Sequence, residues 1–142
     1  MTAAKYTVCF ICFLAIFALA SLVQAQEVKK LKLPNGEEVV DISGEWDAEL
    51  ENYGPWSRFG TYTNVINIIW EGNSFVGTRM LIDKHNLPNT MAFRGEMDKD
   101  GIMKLQWMTD AGPMDTKGEV IEEGNKIIID DGEKARATLI RK

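Results

Sequence analysis

Cysteine is almost missing from this 142-residue chain, and the two it has, Cys9 and Cys12, both stand within the first 25 residues. Those 25 residues hold one charge, Lys5, an almost unbroken apolar run from Val8 to Ala20, and Val23-Gln24-Ala25 where a signal peptidase needs small or aliphatic groups. They read as a cleaved signal peptide, residues 1–25, with an uncleaved N-terminal anchor as the alternative. The mature chain, Gln26 to Lys142, then has no cysteine. No disulfide can staple it and no lipobox can tether it, so its core has to stabilise it. At roughly 117 residues it is one domain, long enough to bury such a core.

Histidine is as scarce. His85 is the only one, and metal sites normally draw on several His or Cys ligands, so neither a metal nor a cofactor is expected. Clustered basic residues are missing too. The formal net charge is −5, and it becomes −6 once Lys5 leaves with the signal. Phosphate recognition needs grouped Lys and Arg, which argues against nucleic acid and anionic lipid as partners. No segment has a convincing helical period, and no catalytic motif is present, so no catalytic residue is nominated.

What the chain does have is β-pattern. Ile42 to Leu50 alternates strictly, with Trp46, Ala48 and Leu50 on one face and Glu45, Asp47 and Glu49 on the other. Seven further strand-like segments follow: Thr61 to Trp70, Phe75 to Ile82, Thr90 to Met97, Ile102 to Met108, Met114 to Ile121, Lys126 to Asp130 and Lys134 to Arg141. If Gly72 and Asn73 form a two-residue turn, Trp70 faces Phe75 and Ile69 faces Val76. Which pair points inward stays open, because both faces are apolar there. Met91, Phe93, Gly95 and Met97 are expected to share an inward face, as are Met103, Leu105 and Trp107.

Eight strands punctuated by turns predict an all-β, eight-stranded antiparallel up-and-down barrel over residues 42–142. Residues 26–41 form a charged N-terminal arm, a small hairpin or a strap outside the core. The connections between strands one and two, three and four, and five and six read as long, and most of the others as tight turns. In an up-and-down barrel that sorting leaves one end sealed and the other ringed by loops, like a cup.

The loop-ringed end carries Tyr53, Trp56, Arg58 and Phe59, with His85 and Asn86 opposite and Asp110 nearby. These aromatics could be a mobile lid over an apolar cavity, or a plug that fills the barrel. His85 could serve as a general base if Asp83 or Asp110 positioned it; the plainer reading is a solvated loop residue. Asp98-x-Asp100-Gly101 lacks the later ligands of a calcium loop and reads as a hairpin turn. An outer-membrane barrel is excluded by the charges on the outward faces, among them Glu45, Asp47, Glu49, Arg94, Glu96 and Lys104, which would meet lipid.

Gly44-Glu45-Trp46 at the head of the first barrel strand resembles the Gly-x-Trp signature of the lipocalin and calycin superfamily. The resemblance implies a calycin-like barrel in which Trp46 sits inside the closed end and Arg141, near the end of the last strand, packs across it, making Gly44, Trp46 and Arg141 structural. The family's Thr-Asp-Tyr motif and its disulfides have no counterpart here. A weaker likeness, in Leu31-Lys32-Leu33-Pro34 and Ser43-Gly44-Glu45-Trp46, is to bacterial inhibitors of secreted metalloproteases, whose N-terminal arm enters the protease cleft.

The expectation is a soluble protein, secreted or periplasmic, with no membrane span after signal cleavage. It would bind a small hydrophobic or amphipathic molecule at its loop-ringed end through Tyr53, Trp56, Arg58, Phe59 and His85. The alternatives are a protein-interaction or protease-inhibitor barrel working through its arm, and a lipocalin-like isomerase or cyclase dependent on His85 or Asp110.

Overall fold

A computed structural model describes residues 27–142; the expected signal peptide, with Cys9 and Cys12, lies outside the described residues. Two short strands come first, β1 (Lys30–Lys32) and β2 (Glu38–Val40), paired as a hairpin. Eight more follow: β3 (Gly44–Asn52), β4 (Thr61–Glu71), β5 (Ser74–Arg79), β6 (Thr90–Met97), β7 (Ile102–Thr109), β8 (Gly112–Ile121), β9 (Lys126–Asp130) and β10 (Ala135–Arg141). Each of these eight pairs antiparallel with its neighbours in chain order, and β10 closes on β3, so they form an up-and-down barrel. Closure leaves the eight strands no free edge.

Period-two alternation decides which side chains fill it. On β3, Trp46, Ala48 and Leu50 are buried while Glu45, Asp47 and Glu49 face out. Leu139, Ala137 and Ala135 of β10 and Ile127 and Ile129 of β9 continue the inner wall. The two-residue turn at Gly72-Asn73 sets the register of β4 on β5 with Trp70 opposite Phe75. Phe75 is fully buried and Ile69 is exposed, so the aromatic pair points inward. Fully burying a side chain of this size stabilises by roughly 1.5–3 kcal/mol, and the inner face supplies many of them.

The barrel has a sealed end, where β4 turns into β5 and β8 into β9. Trp46 lies there with no exposed surface, its Nε1 donating to the Ile42 carbonyl at 2.9 Å. The Arg141 guanidinium stands 4.3 Å from the centre of the Trp46 ring and donates to three carbonyls, Asp41 at 2.7 Å, Ser43 at 3.0 Å and Gly124 at 3.1 Å. A guanidinium over an indole is worth about 0.5–2 kcal/mol. Gly44 carries a φ of +112°, the left-handed turn by which the chain bends from the hairpin into β3. A β-branched or bulky residue would be strained in that conformation.

The N-terminal arm belongs to this end, and it departs from expectation by joining the core. Leu33 and Val39 are buried in the same hydrophobic cluster as Ile42 and Trp46. The Asn35 amide donates to the Asn73 side chain in the β4–β5 turn, and Lys29 pairs with the Asp41 carboxylate at 2.8 Å. Burial pushes the Asp41 carboxyl up, but Lys29 and the hydroxyl and amide of Ser43 outweigh it and hold it down to about 2. Leu31, Leu33, Val39 and Val40 give the hairpin an apolar side, and it packs on the barrel base.

Two local expectations need correction. Met91 does not face inward; it is 38% exposed. The pairing of β5 with β6 slips between Gly77 and Thr78, leaving Ala92 as an extra residue, and this bulge reverses the face of everything before it. The segment from Thr109 to Pro113 is not a long loop, because β7 and β8 pair up to Thr109 and Gly112, leaving Asp110-Ala111 as a tight turn. The Thr109 hydroxyl bonds across that turn to the Gly112 carbonyl at 2.8 Å. The long connection after β3 is partly regular: Gly54–Phe59 winds as a short 3-10 helix with Pro55 in its first turn, where proline's fixed φ is tolerated.

Candidate functional site

At the end opposite Trp46, the barrel opens into a cavity of about 290 Å³. Its walls are the 3-10 helix (Trp56, Arg58, Phe59), inward residues of β4, β5 and β7 (Tyr62, Arg79, Trp107), the β5–β6 loop (His85, Asn86) and Met108 to Ala111 with Met114. The long connections β3–β4 and β5–β6 therefore both stand at this rim, as the cup arrangement requires. The third connection expected there is the tight Asp110-Ala111 turn, so two loops and not three rise over the opening.

Aromatic packing shapes the wall. Phe59 meets Trp56 edge-to-face at 6.3 Å, and His85 meets both Phe59 at 5.9 Å and Tyr62 at 4.9 Å. Arg58 lies 4.8 Å from the Phe59 ring centre and Lys134 5.1 Å from that of Trp56. These aromatics line the cavity without filling it. Lower down the barrel is packed: Phe93 lies against Gly77, and the residual space among Ala48, Leu50, Ile66, Phe93 and Leu139 is about 10 Å³. That is about enough for one water at most. The cup is shallow.

Tyr53 stands apart from the other residues expected at the gate. Its hydroxyl donates to Asp130 at 2.5 Å, and it is not among the residues lining the cavity. The bond to Asp130 raises the Tyr53 phenol to about 12. Trp56, Arg58, Phe59 and His85 do come together at the cavity.

The β5–β6 loop is pinned from inside. Buried Asn64 donates to the Leu81 carbonyl at 3.0 Å and to the Asp83 carboxylate at 2.6 Å, and its own oxygen accepts from the Leu81 amide. The other Asp83 oxygen accepts from the His85 and Asn86 amides, both at 2.8 Å. Burial pushes the Asp83 carboxyl up, but those donors together hold it below its usual range. With Asp83 so occupied, the His85 ring is left with a buried Nε2 that has no hydrogen-bond partner.

Arg79 is the wall residue that loop-by-loop reasoning overlooked. It is 5% exposed, donates to the Met91 carbonyl beside the bulge, to the Met108 carbonyl at 2.7 Å and to the Thr90 hydroxyl at 3.5 Å. Burial pulls its guanidinium below the usual arginine value, against the opposing pull of Tyr62, Asp83 and Asp110. Burial likewise pushes the Tyr62 phenol up. The signal was available: Phe75, Gly77 and Arg79 share one strand face, so a charge stands on an inward position.

Among the described residues no group of three or more His, Cys, Asp and Glu is placed to hold a metal ion, and no helix is long and apolar enough to cross a membrane. Fold and site together define a closed eight-stranded antiparallel barrel with a part-apolar cavity at one end. Comparison with known proteins finds no match among family models, curated proteins or solved structures.

Proposed function

We propose that the protein is an exported, lipocalin-like binding barrel that takes a small hydrophobic or amphipathic molecule into the cavity at its loop-ringed end. The observation that carries this reading is the cavity of about 290 Å³ walled by Trp56, Phe59, Tyr62 and Trp107. Small-molecule sites are concave, mostly apolar and carry a few placed polar groups; their volumes start at roughly 300 Å³. This cavity stands at the small end of that range, which suits a ligand of about ten carbons or a small ring system over a long-chain lipid. Trp46 and Arg141 are structural in this reading, and Trp56, Arg58, Phe59 and His85 form the gate.

Titrating the purified protein with a panel of small amphiphiles while following tryptophan emission tests it directly, because Trp56 and Trp107 both line the cavity. Saturable quenching or a blue shift is the expected result. No change across the panel, with no molecule co-purifying, would sink the proposal.

A further inference from the structure

We propose that the cavity selects an organic anion: a carboxylate against Arg79, on a compact apolar body held between Trp56, Phe59, Tyr62 and Trp107. This rests on the binding-cup reading and narrows its ligand class.

Arg79 is a buried cation on the cavity wall. Its three hydrogen bonds all go to neutral acceptors, and among the described residues no carboxylate lies within 4 Å of it. A guanidinium has five N–H donors in a planar fork, so the Nε–H and one Nη2–H remain beyond those three bonds. A buried charge is costly unless it is paired, and an arginine fork matches a carboxylate in geometry as well as sign.

Of the two acids whose charge acts on Arg79, Asp83 forms no ion pair with it and accepts instead from Asn64, His85 and Asn86. Asp110 is at the exposed tip of the β7–β8 turn. At the rim, Arg58, Lys84 and Lys134 add positive charge to a chain that is acidic overall. Apolar walls and a single buried cation suit a monoanion with a hydrophobic body better than a multiply charged phosphate ester.

Arg79 also serves the fold, by satisfying the Met91 carbonyl beside the β6 bulge, so the decisive comparison is made first on the unaltered protein. Calorimetric titration with decanoate and with decanamide, of matched chain length, separates charge from apolar burial. Decanoate is expected to bind about ten- to a hundredfold more tightly, the range for a hydrogen bond to a charged group. In Arg79→Met that preference disappears.

Equal or tighter binding of decanamide by the unaltered protein overturns the anion proposal and leaves the cup reading standing. Failure of both ligands to bind overturns both. A preference for decanoate that survives undiminished in Arg79→Met removes Arg79 from the site. If Arg79→Met does not fold, Arg79→Lys, which keeps the charge and loses the fork, should bind decanoate more weakly than the unaltered protein; unchanged affinity would contradict the assigned geometry.

Discussion

Two arginines stand inside this barrel, one at each end, and their surroundings differ. Arg141 at the sealed end covers an indole and gives its N–H groups to three carbonyls of the strap, the start of β3 and the β8–β9 turn. Arg79 at the open end satisfies two carbonyls and a hydroxyl and still borders a cavity. At the sealed end Trp46 and Arg141 pair their N–H groups locally, around an aromatic with no exposed surface, while the buried Trp70 Nε1 there has no partner. The open end leaves a buried imidazole nitrogen unpartnered and exposes Leu81, Ile82 and Leu87 on its loop. The contrast is one of space: Trp46 at the sealed end has no exposed surface, whereas Arg79 and the aromatics at the open end border a cavity of about 290 Å³.

The largest expected effect is at the sealed end. Trp46→Ala should cost about 3–5 kcal/mol, read as a fall in the denaturant midpoint, because the cavity it leaves is ringed by the hairpin and three carbonyls that cannot collapse inward. A smaller loss, comparable to one at the mouth, would erase the contrast between the ends. Next comes the layer that separates them. In Gly77→Ala the new Cβ would fall 2.5 Å from two atoms of the Phe93 ring, and forcing an extra methyl into packed surroundings costs about 1–3 kcal/mol. Thermal unfolding checks it, and a neutral result would mean the middle of the barrel is looser than its packing suggests.

Acid should strike the sealed end through Asp41. Its carboxyl is held down to about 2 in the folded protein, below the ordinary aspartate value, so its contribution is complete above about pH 4 and is lost as pH falls through 2. The contribution is at most about 2 kcal/mol, discounted because the partner Lys29 is 79% exposed. Asp41→Asn should therefore be less stable at neutral pH and lose less on acidification than the unaltered protein. Parallel acid profiles would count against this assignment. The smallest stability effect is expected at the mouth: Trp56→Ala should change unfolding by about 1 kcal/mol or less while weakening binding of decanoate.

Much of the barrel was legible because alternation and turn chemistry are local. Ile42 to Leu50 declares its faces outright, and Gly72-Asn73 fixes a register that aligns Trp70 with Phe75. Met91 was misplaced because a bulge at Ala92 is set by the partner strand and leaves no local mark. Asp110-Ala111-Gly112-Pro113 looked like a long loop because proline and glycine break the pattern, yet Pro113 can pair opposite Met108 within the ladder.

The hairpin's burial was hidden for a related reason: three-residue strands flanked by lysines and glutamates look solvated until the barrel base is there to receive Leu33 and Val39. At the cavity, the aromatic wall residues Trp56 and Phe59 were legible through their loop, and Tyr53 was grouped with them although its hydroxyl turns to Asp130. Tyr62 and Arg79 went unnoticed because they belong to strands, where a polar residue on the inner face is the mark to seek.

The most direct test of the two-ended account uses the four tryptophans as fixed reporters in one heteronuclear NMR titration with decanoate. Trp56 and Trp107 line the cavity, while Trp46 and Trp70 pack at the sealed end. The indole N–H signals of Trp56 and Trp107 should shift saturably and those of Trp46 and Trp70 should stay in place. Four unmoved signals, or a Trp46 signal that moves as far as that of Trp107, would contradict it.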